Sequence, residues 1–128
     1  MILLTELAEV LAAVLTRRTG VVTCTQRLYT AVYPMYALQL VPEQSVLAAG
    51  GQQLLRTVTG TVACYGSRQR QDAEGLDLAD RLLMALAAGV PVGDRYLTPV
   101  HVVCRVRENR PEVSFQLVFY DLLEGVVE

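Results

Sequence analysis

From Pro111 to Tyr120 the chain reads PEVSFQLVFY, and its apolar positions alternate. Val113, Phe115, Leu117 and Phe119 are interleaved with Ser114, Gln116, Val118 and Tyr120. A period of two is the signature of a β-strand with one face in a core. Both phenylalanines of the protein lie in this stretch. The strand is therefore expected to run through the middle of a sheet, with the other apolar segments covering it or pairing with it.

The start of the chain has the other period. Leu4, Leu7, Leu11 and Val14 fall at helical spacing, with Leu3 and Val10 beside them, which predicts an amphipathic helix over residues 3–17. Glu6 and Glu9 near its start and Arg17 and Arg18 near its end suit the helix dipole, and Gly20 is a stop signal. The β-branched run VVTCTQ, 21–26, reads as a strand. Tyr36, Leu38 and Leu40 alternate with Ala37, Gln39 and Val41, giving a second strand, and Pro42 marks an edge or a bulge. Gly50-Gly51 is a hairpin turn signal. Residues 54–65, LLRTVTGTVACY, form a long third strand with Val58, Val62 and Cys64 on one face and Thr57, Thr59 and Thr61 on a wetter one. Gly60 in its middle signals a bulge or a close approach. The polar, Gln-rich stretch 41–55 is either an arm projecting from the domain or a surface loop.

Asp72 is a candidate cap for a second helix over 73–88, whose stripe is Leu76, Ala79, Leu83 and Leu86 with Leu82 beside it. Gly75 weakens its first turn, and Gly89 and Pro91 end it. Residues 90–97 read as a short strand and turn. Val100, Val102, Cys104 and Val106 then alternate with His101, Val103, Arg105 and Arg107 as another strand, and residues 108–111 turn the chain into the last one. The ending DLLEGVVE is acidic and is expected to fray or to dock on a neighbour. The order is helix, three strands, helix, three strands. It predicts a single α+β domain over 1–128: a mostly antiparallel sheet, two α-helices packed on one face, and a long β-hairpin.

Composition narrows the classes. A chain of 128 residues suits one domain with a real core, and 52% hydrophobic residues oppose global disorder. A net charge of −2 and a pI near 5.4 argue against general binding to phosphate backbones. The basic residues are all Arg, whose planar fork can bridge carboxylates and backbone oxygens at interfaces. The apolar N-terminus lacks the basic region of a signal peptide, and Glu6 and Glu9 interrupt it. No uncharged run reaches the ~18 residues of a spanning helix. The expectation is a soluble, intracellular protein. Cys24, Cys64 and Cys104 are widely spaced and odd in number. They are expected to be small buried hydrophobes rather than disulfide partners or zinc ligands.

Candidate chemistry is thin. His101 is the single histidine, and Cys104, three residues on, is expected on the opposite strand face, so a nucleophile–base pair there has little support. Asp77 and Asp80 could present two carboxylates together, but without further ligands they read as a solvated helix face. Gly89 to Gly93 matches no phosphate-binding loop. His101, Arg105 and Arg107 share one predicted strand face; with Arg56, Arg68 and Arg70 they form either an ordinary mixed surface or a contact for an acidic neighbouring subunit. That face lacks the interleaved aromatics that stack single-stranded bases. No catalytic, cofactor-binding or metal-binding residue emerges.

The ordered pattern resembles a known family. The first helix and strand lead through a Tyr-containing loop to Pro34-Met-Tyr-Ala-Leu-Gln-Leu40; a Gly-turn hairpin then brings RTVTGTVACY, from Arg56 to Tyr65; an acidic helix carries Ala79-Asp-Arg-Leu82; and the chain closes on VSFQLVFY. This resembles the small tail terminator proteins of long-tailed phages and prophages, particularly of Gram-positive hosts, across almost the whole chain. The resemblance implies a structural protein of the virion tail, assembled in the host cytoplasm, that forms a homo-hexameric ring. Such a ring caps the head-proximal end of the tail tube, stops its polymerisation and presents a surface to the head–tail connector. For contractile tails and phage-tail-like bacteriocins the resemblance implies a contact with the sheath protein as well. DNA passes its lumen without specific binding, and no cofactor, membrane or catalytic residue belongs to the role. The positions assigned to assembly are Gln44, Gln52, Gln53 and Arg56 in the hairpin, Arg68, Arg70, Arg105 and Arg107 as ion-pair partners, and Asp121 and Glu124 in the acidic tail. Three other readings stay open: another head–tail connector or stopper protein, a small ligand-binding domain or enzyme using His101 and Cys104, and an adaptor docking through a groove beside residues 3–15.

Overall fold

A computed structural model describes residues 2–25, 33–47, 51, 53–67 and 71–122. The elements in chain order are α1 (Leu4–Thr19), β1 (Val22–Cys24), β2 (Met35–Leu47), β3 (Gln53–Tyr65), α2 (Gln71–Ala87), β4 (Val90–Val92), β5 (Arg95–Leu97), β6 (Val100–Arg107) and β7 (Arg110–Leu122). Five strands form one sheet in the order β1-β2-β3-β7-β6, antiparallel except for the β1–β2 pair. The α+β class, the mostly antiparallel sheet and the element order are those expected from the sequence. The stretch 90–97 resolves into two short strands that, among the described residues, pair with each other as a small separate sheet.

The alternation in β7 does what its period requires. Val113, Phe115, Leu117 and Phe119 are buried beneath the helices. β7 is an interior strand, flanked by β3 and β6, while β3 occupies the centre of the sheet. Val58, Val62 and Cys64 of β3 face the same core, joined by Leu7, Leu11 and Leu15 of α1 and Leu78, Leu82 and Leu86 of α2. Each of these side chains removes apolar surface from water, about 1.5–3 kcal/mol apiece, and so holds both helices to one face.

Gly60 is a close approach. It stands opposite Phe115 in the β3–β7 register, and a Cβ there would lie 2.3 Å from Cζ of the Phe115 ring. The ring occupies the space a side chain would need. At Pro42 the register shifts, so Glu43 is the extra residue of a β-bulge. Proline supplies no N–H, and a bulge at the sheet margin absorbs that loss.

The helices are also tied to each other through polar groups. α1 ends on Gly20 in the left-handed region at φ 75°, whose N–H donates to the Thr16 carbonyl at 2.9 Å. Arg18 donates from Nη1 to the carbonyls of Ala85, at 2.9 Å, and Gly89. The Ala85 carbonyl lies in the last turn of α2 and that of Gly89 just past its end, so the guanidinium caps this terminus and opposes its dipole. The Tyr36 hydroxyl, fully buried, donates to the Leu78 carbonyl at 2.6 Å. Burial first, then the neighbouring Cys64, push the Tyr36 phenol well above its ordinary pKa. α2 begins at Gln71, so Asp72 lies inside its first turn rather than at the cap position.

Candidate functional site

Two features stand out from the covered sheet: a buried ion cluster near the turn end of the β2–β3 hairpin, where Arg56 pairs with Ser45, and uncovered strand surface on β2 beside it. Arg56 and Phe119 are direct partners on the core face, and Asp121 follows two residues later on that same face. Asp121 is 5% exposed and Arg56 8%. Asp121 Oδ2 accepts from the Ile2 N–H at 2.8 Å and from Arg56 Nη1 at 3.2 Å; Oδ1 accepts from the Leu122 N–H at 3.1 Å and has Arg95 Nη1 at 3.5 Å. Arg56 Nη1 also donates to the Ile2 carbonyl at 2.5 Å. The Arg56 and Arg95 guanidiniums each sit 5.6 Å from the centre of the Phe119 ring. Burial alone raises the Asp121 pKa, but the Ile2 N–H and the Arg56 guanidinium outweigh it, and the carboxyl is held below its ordinary range.

The cluster joins four parts of the chain: the lead-in to α1, β3, the β4–β5 hairpin and the end of β7. Arg56 and Asp121, assigned above to contacts between subunits, thus meet partners within the chain. Arg95 was not singled out in the sequence, and nothing there signals it, because it meets Asp121 only through tertiary packing. Beside the cluster lies a cleft of about 740 Å³ lined by Ile2, Glu6, Val10, Gln53, Arg95 and Leu122 among others. Its walls are apolar with scattered carboxylates, and no histidine or cysteine lines it. Among the described residues no group of three or more His, Cys, Asp or Glu is placed to hold a metal, and no helix is long and apolar enough to cross a membrane.

The hairpin is a true strand pair, paired from Met35–Tyr65 out to Leu47–Leu54. At about 3.3 Å per residue, thirteen-residue strands span ~43 Å. The helices cover only part of that length. Every residue of β2 from Val41 to Leu47 is exposed, including Val41, Val46 and Leu47. Gln44 and Gln53 are exposed on this arm. Gln52, Arg68, Arg70 and Glu124 lie outside the described residues.

The sheet face away from the helices is open. Its rows run Gln39–Thr61–Ser114–Val103 and Val41–Thr59–Gln116–Val100 across β2, β3, β7 and β6. The wetter face predicted for Thr57, Thr59 and Thr61 is this one. Toward one end Arg110 stacks 4.3 Å over the Tyr65 ring, which Tyr33 meets at 6.3 Å.

β6 departs from expectation. All eight of its residues are exposed. Cys104 pairs with buried Val113 and so faces the helix side, yet it is exposed, because no described part of the chain covers it. Cys24 and Cys64 are buried as expected. The register breaks between Val100 and Val103, and His101 sits in that irregularity at φ 51°. The simple alternation that put His101 with Arg105 and Arg107 on one face, and opposite Cys104, therefore does not apply. Arg105 and Arg107 remain together on the open face, where Arg107 meets Glu112 at 3.6 Å. Neither His101 nor Cys104 lines the cleft beside the ion cluster.

No family model matches the chain, and no curated protein matches it in sequence.

Proposed function

We propose that the chain is a structural tail protein: a subunit of a ring that caps the head-proximal end of a phage-type tail tube, ends tube polymerisation and offers the joining surface for the head connector. The observation that carries this reading is the arm. Val41, Val46 and Leu47 stand exposed on a hairpin that extends past its own helical cover. β3 stays paired with β7 out to Gln53–Leu122, so the uncovered apolar surface is that of the β2 edge, and apolar residues on an open edge strand are unfavourable in water unless a neighbour buries them. A ring subunit has such neighbours on each side and a tube beneath.

The open face supports the same reading. Thr57, Thr59, Thr61, Ser114 and Gln116 give it neutral hydroxyls and amides. The arginines of this face lie toward one margin, where Arg107 meets Glu112 and Arg110 stacks on Tyr65, so its neutral middle offers little purchase to DNA phosphates, whose binding needs an array of cations. The role needs no catalysis and no cofactor. Its partners are other copies of the chain, the tail tube protein and the connector, or the sheath in a contractile tail.

The test is the solution mass of the purified protein followed by negative-stain imaging with and without assembled tail tubes. Rings, or density on one end of each tube, support the proposal. Rings that ignore tube ends favour a connector or stopper instead. A monomer that leaves tubes uncapped overturns the ring reading.

A further inference from the structure

The sheet has two unfinished edges, and they match. Among the described residues β6 pairs only with β7, and β2 beyond Ala37 pairs only with β3. β6 places Cys104 and Val106 on the helix side of the sheet, opposite Val113 and Pro111, but both are exposed, Val106 at 75%. The helices of the chain stop short of them. At the other edge the arrangement is reversed: a helix overhangs a strand whose outer side, beyond Ala37, has no strand partner among the described residues. α1 and β2 form a small groove there, lined by Leu4, Ala8, Glu9, Leu38 and Leu40 among others. One edge has apolar side chains without cover, and the other has apolar cover without a strand.

We propose that β6 of one copy adds to the free β2 edge of the next, laying Cys104 and Val106 into the groove between α1 and β2. Strand addition supplies the main-chain hydrogen bonds that both edges lack, and the groove takes the alternate side chains. The polarity agrees. β2 and β7 run one way and β3 and β6 the other, because each successive pair is antiparallel. Two copies side by side with the same face outward therefore bring β6 against β2 in antiparallel register. The charges do not oppose it: Arg105 and Arg107 lie on the open face of β6, and the free stretch of β2 carries no cation. β6 against a second β6 would instead bring arginines toward arginines. The joint is heterologous, one edge against a different edge, so it repeats around a ring if the rotation closes.

This inference rests on the ring reading for closure alone; the joint itself rests on the two edges. The test uses Cys104 as it stands. A cysteine is placed in the groove by Ala8→Cys, and the assembled protein is treated with a short bis-maleimide. The expected result is a ladder of covalent oligomers on a denaturing gel, lost when Cys104→Ser is added. Leu40→Cys is a second site on the strand itself, and Met84→Cys, on the exposed face of α2, is the control that should give no ladder. A charge placed in the joint is the independent readout. Val106→Glu, at a side chain 75% exposed within the subunit, should leave the denaturation midpoint nearly unchanged and weaken self-association at least tenfold. Rings or capped tubes in which neither groove cysteine links to Cys104 overturn the joint while leaving the ring reading intact. A ladder from protein that never caps tubes supports the joint and counts against the tail function. Linkage that stops at a dimer overturns the heterologous geometry.

Discussion

Arg56 and Asp121 are 65 residues apart in sequence and form a buried ion pair at 3.2 Å, with the carboxylate also held by the Ile2 and Leu122 amides. A charge this deep is tolerated only while its partners are in place. Removing one of them leaves the other desolvated, at a cost of about 3–5 kcal/mol. Arg56→Met should therefore lower stability by that amount, and Asp121→Ala by a similar amount. Denaturant titration of each variant checks the expectation. A loss within about 0.5 kcal/mol, as for an ordinary surface position, would show that the pair is not formed.

The same carboxylate sets an acid limit. Its pKa in the fold lies below its ordinary value, which is ~3.9 in the unfolded chain. Between those two values the unfolded state binds more protons than the folded one, so stability rises with pH across that window. The contribution is complete above pH ~4 and is lost as pH falls through the folded-state value. Stability measured from pH 5 downward should fall less steeply in Asp121→Asn than in the parent. Equal slopes would place the acid sensitivity elsewhere.

Gly60 and Phe115 should behave as a coupled pair. A methyl on Gly60 meets the Phe115 ring at 2.3 Å, so the ring or the strand must move. Overpacking of this kind costs about 1–3 kcal/mol, and occasionally more. Gly60→Ala should be clearly destabilising in the parent and much less so on a Phe115→Leu background. A double-mutant cycle measures this, and additive effects would count against the contact.

The elements visible in the sequence are those whose signal is local. The period of two from Val113 to Phe119, the helical spacing from Leu4 to Val14 and the bulge at Pro42 depend only on near neighbours. Cys104 shows where that legibility ends. Alternation places a side chain on the correct face of a strand, but it cannot tell whether a helix reaches far enough to cover that face. Arg56 shows the converse. In RTVTGTVACY it reads as a surface charge, and its burial follows from Asp121, Ile2 and Arg95, brought in from three other segments. The cleft beside it was invisible for the same reason.

The thiols should separate by position. The Cys64 thiol is pushed up to about 12, first by burial and then by the nearby Cys104, and Cys24 is buried as well. Thiolate is the reactive form, so at neutral pH Cys104 should take nearly all the label in the native protein, and all three should react in denaturant. Mass spectrometry after short exposure to a maleimide counts the adducts. Protection of Cys104 in assembled protein relative to dispersed protein would also follow from burial of β6 against a neighbour.

The arm offers the sharpest separation of folding from assembly. Val46 and Leu47 are exposed near the hairpin end and belong to no part of the core cluster. Replacing either by Glu touches no core packing and adds a charge at a position already about half in water. Stability should therefore stay within about 0.5 kcal/mol of the parent. An interface that buries the same residues would have to desolvate that charge without a partner, which is far more costly. Val46→Glu and Leu47→Glu should leave the denaturation midpoint nearly unchanged while greatly reducing ring formation or capping of tubes, scored by imaging. If both variants assemble as the parent does, the arm is not the assembly surface, and the functional proposal loses the observation that carries it.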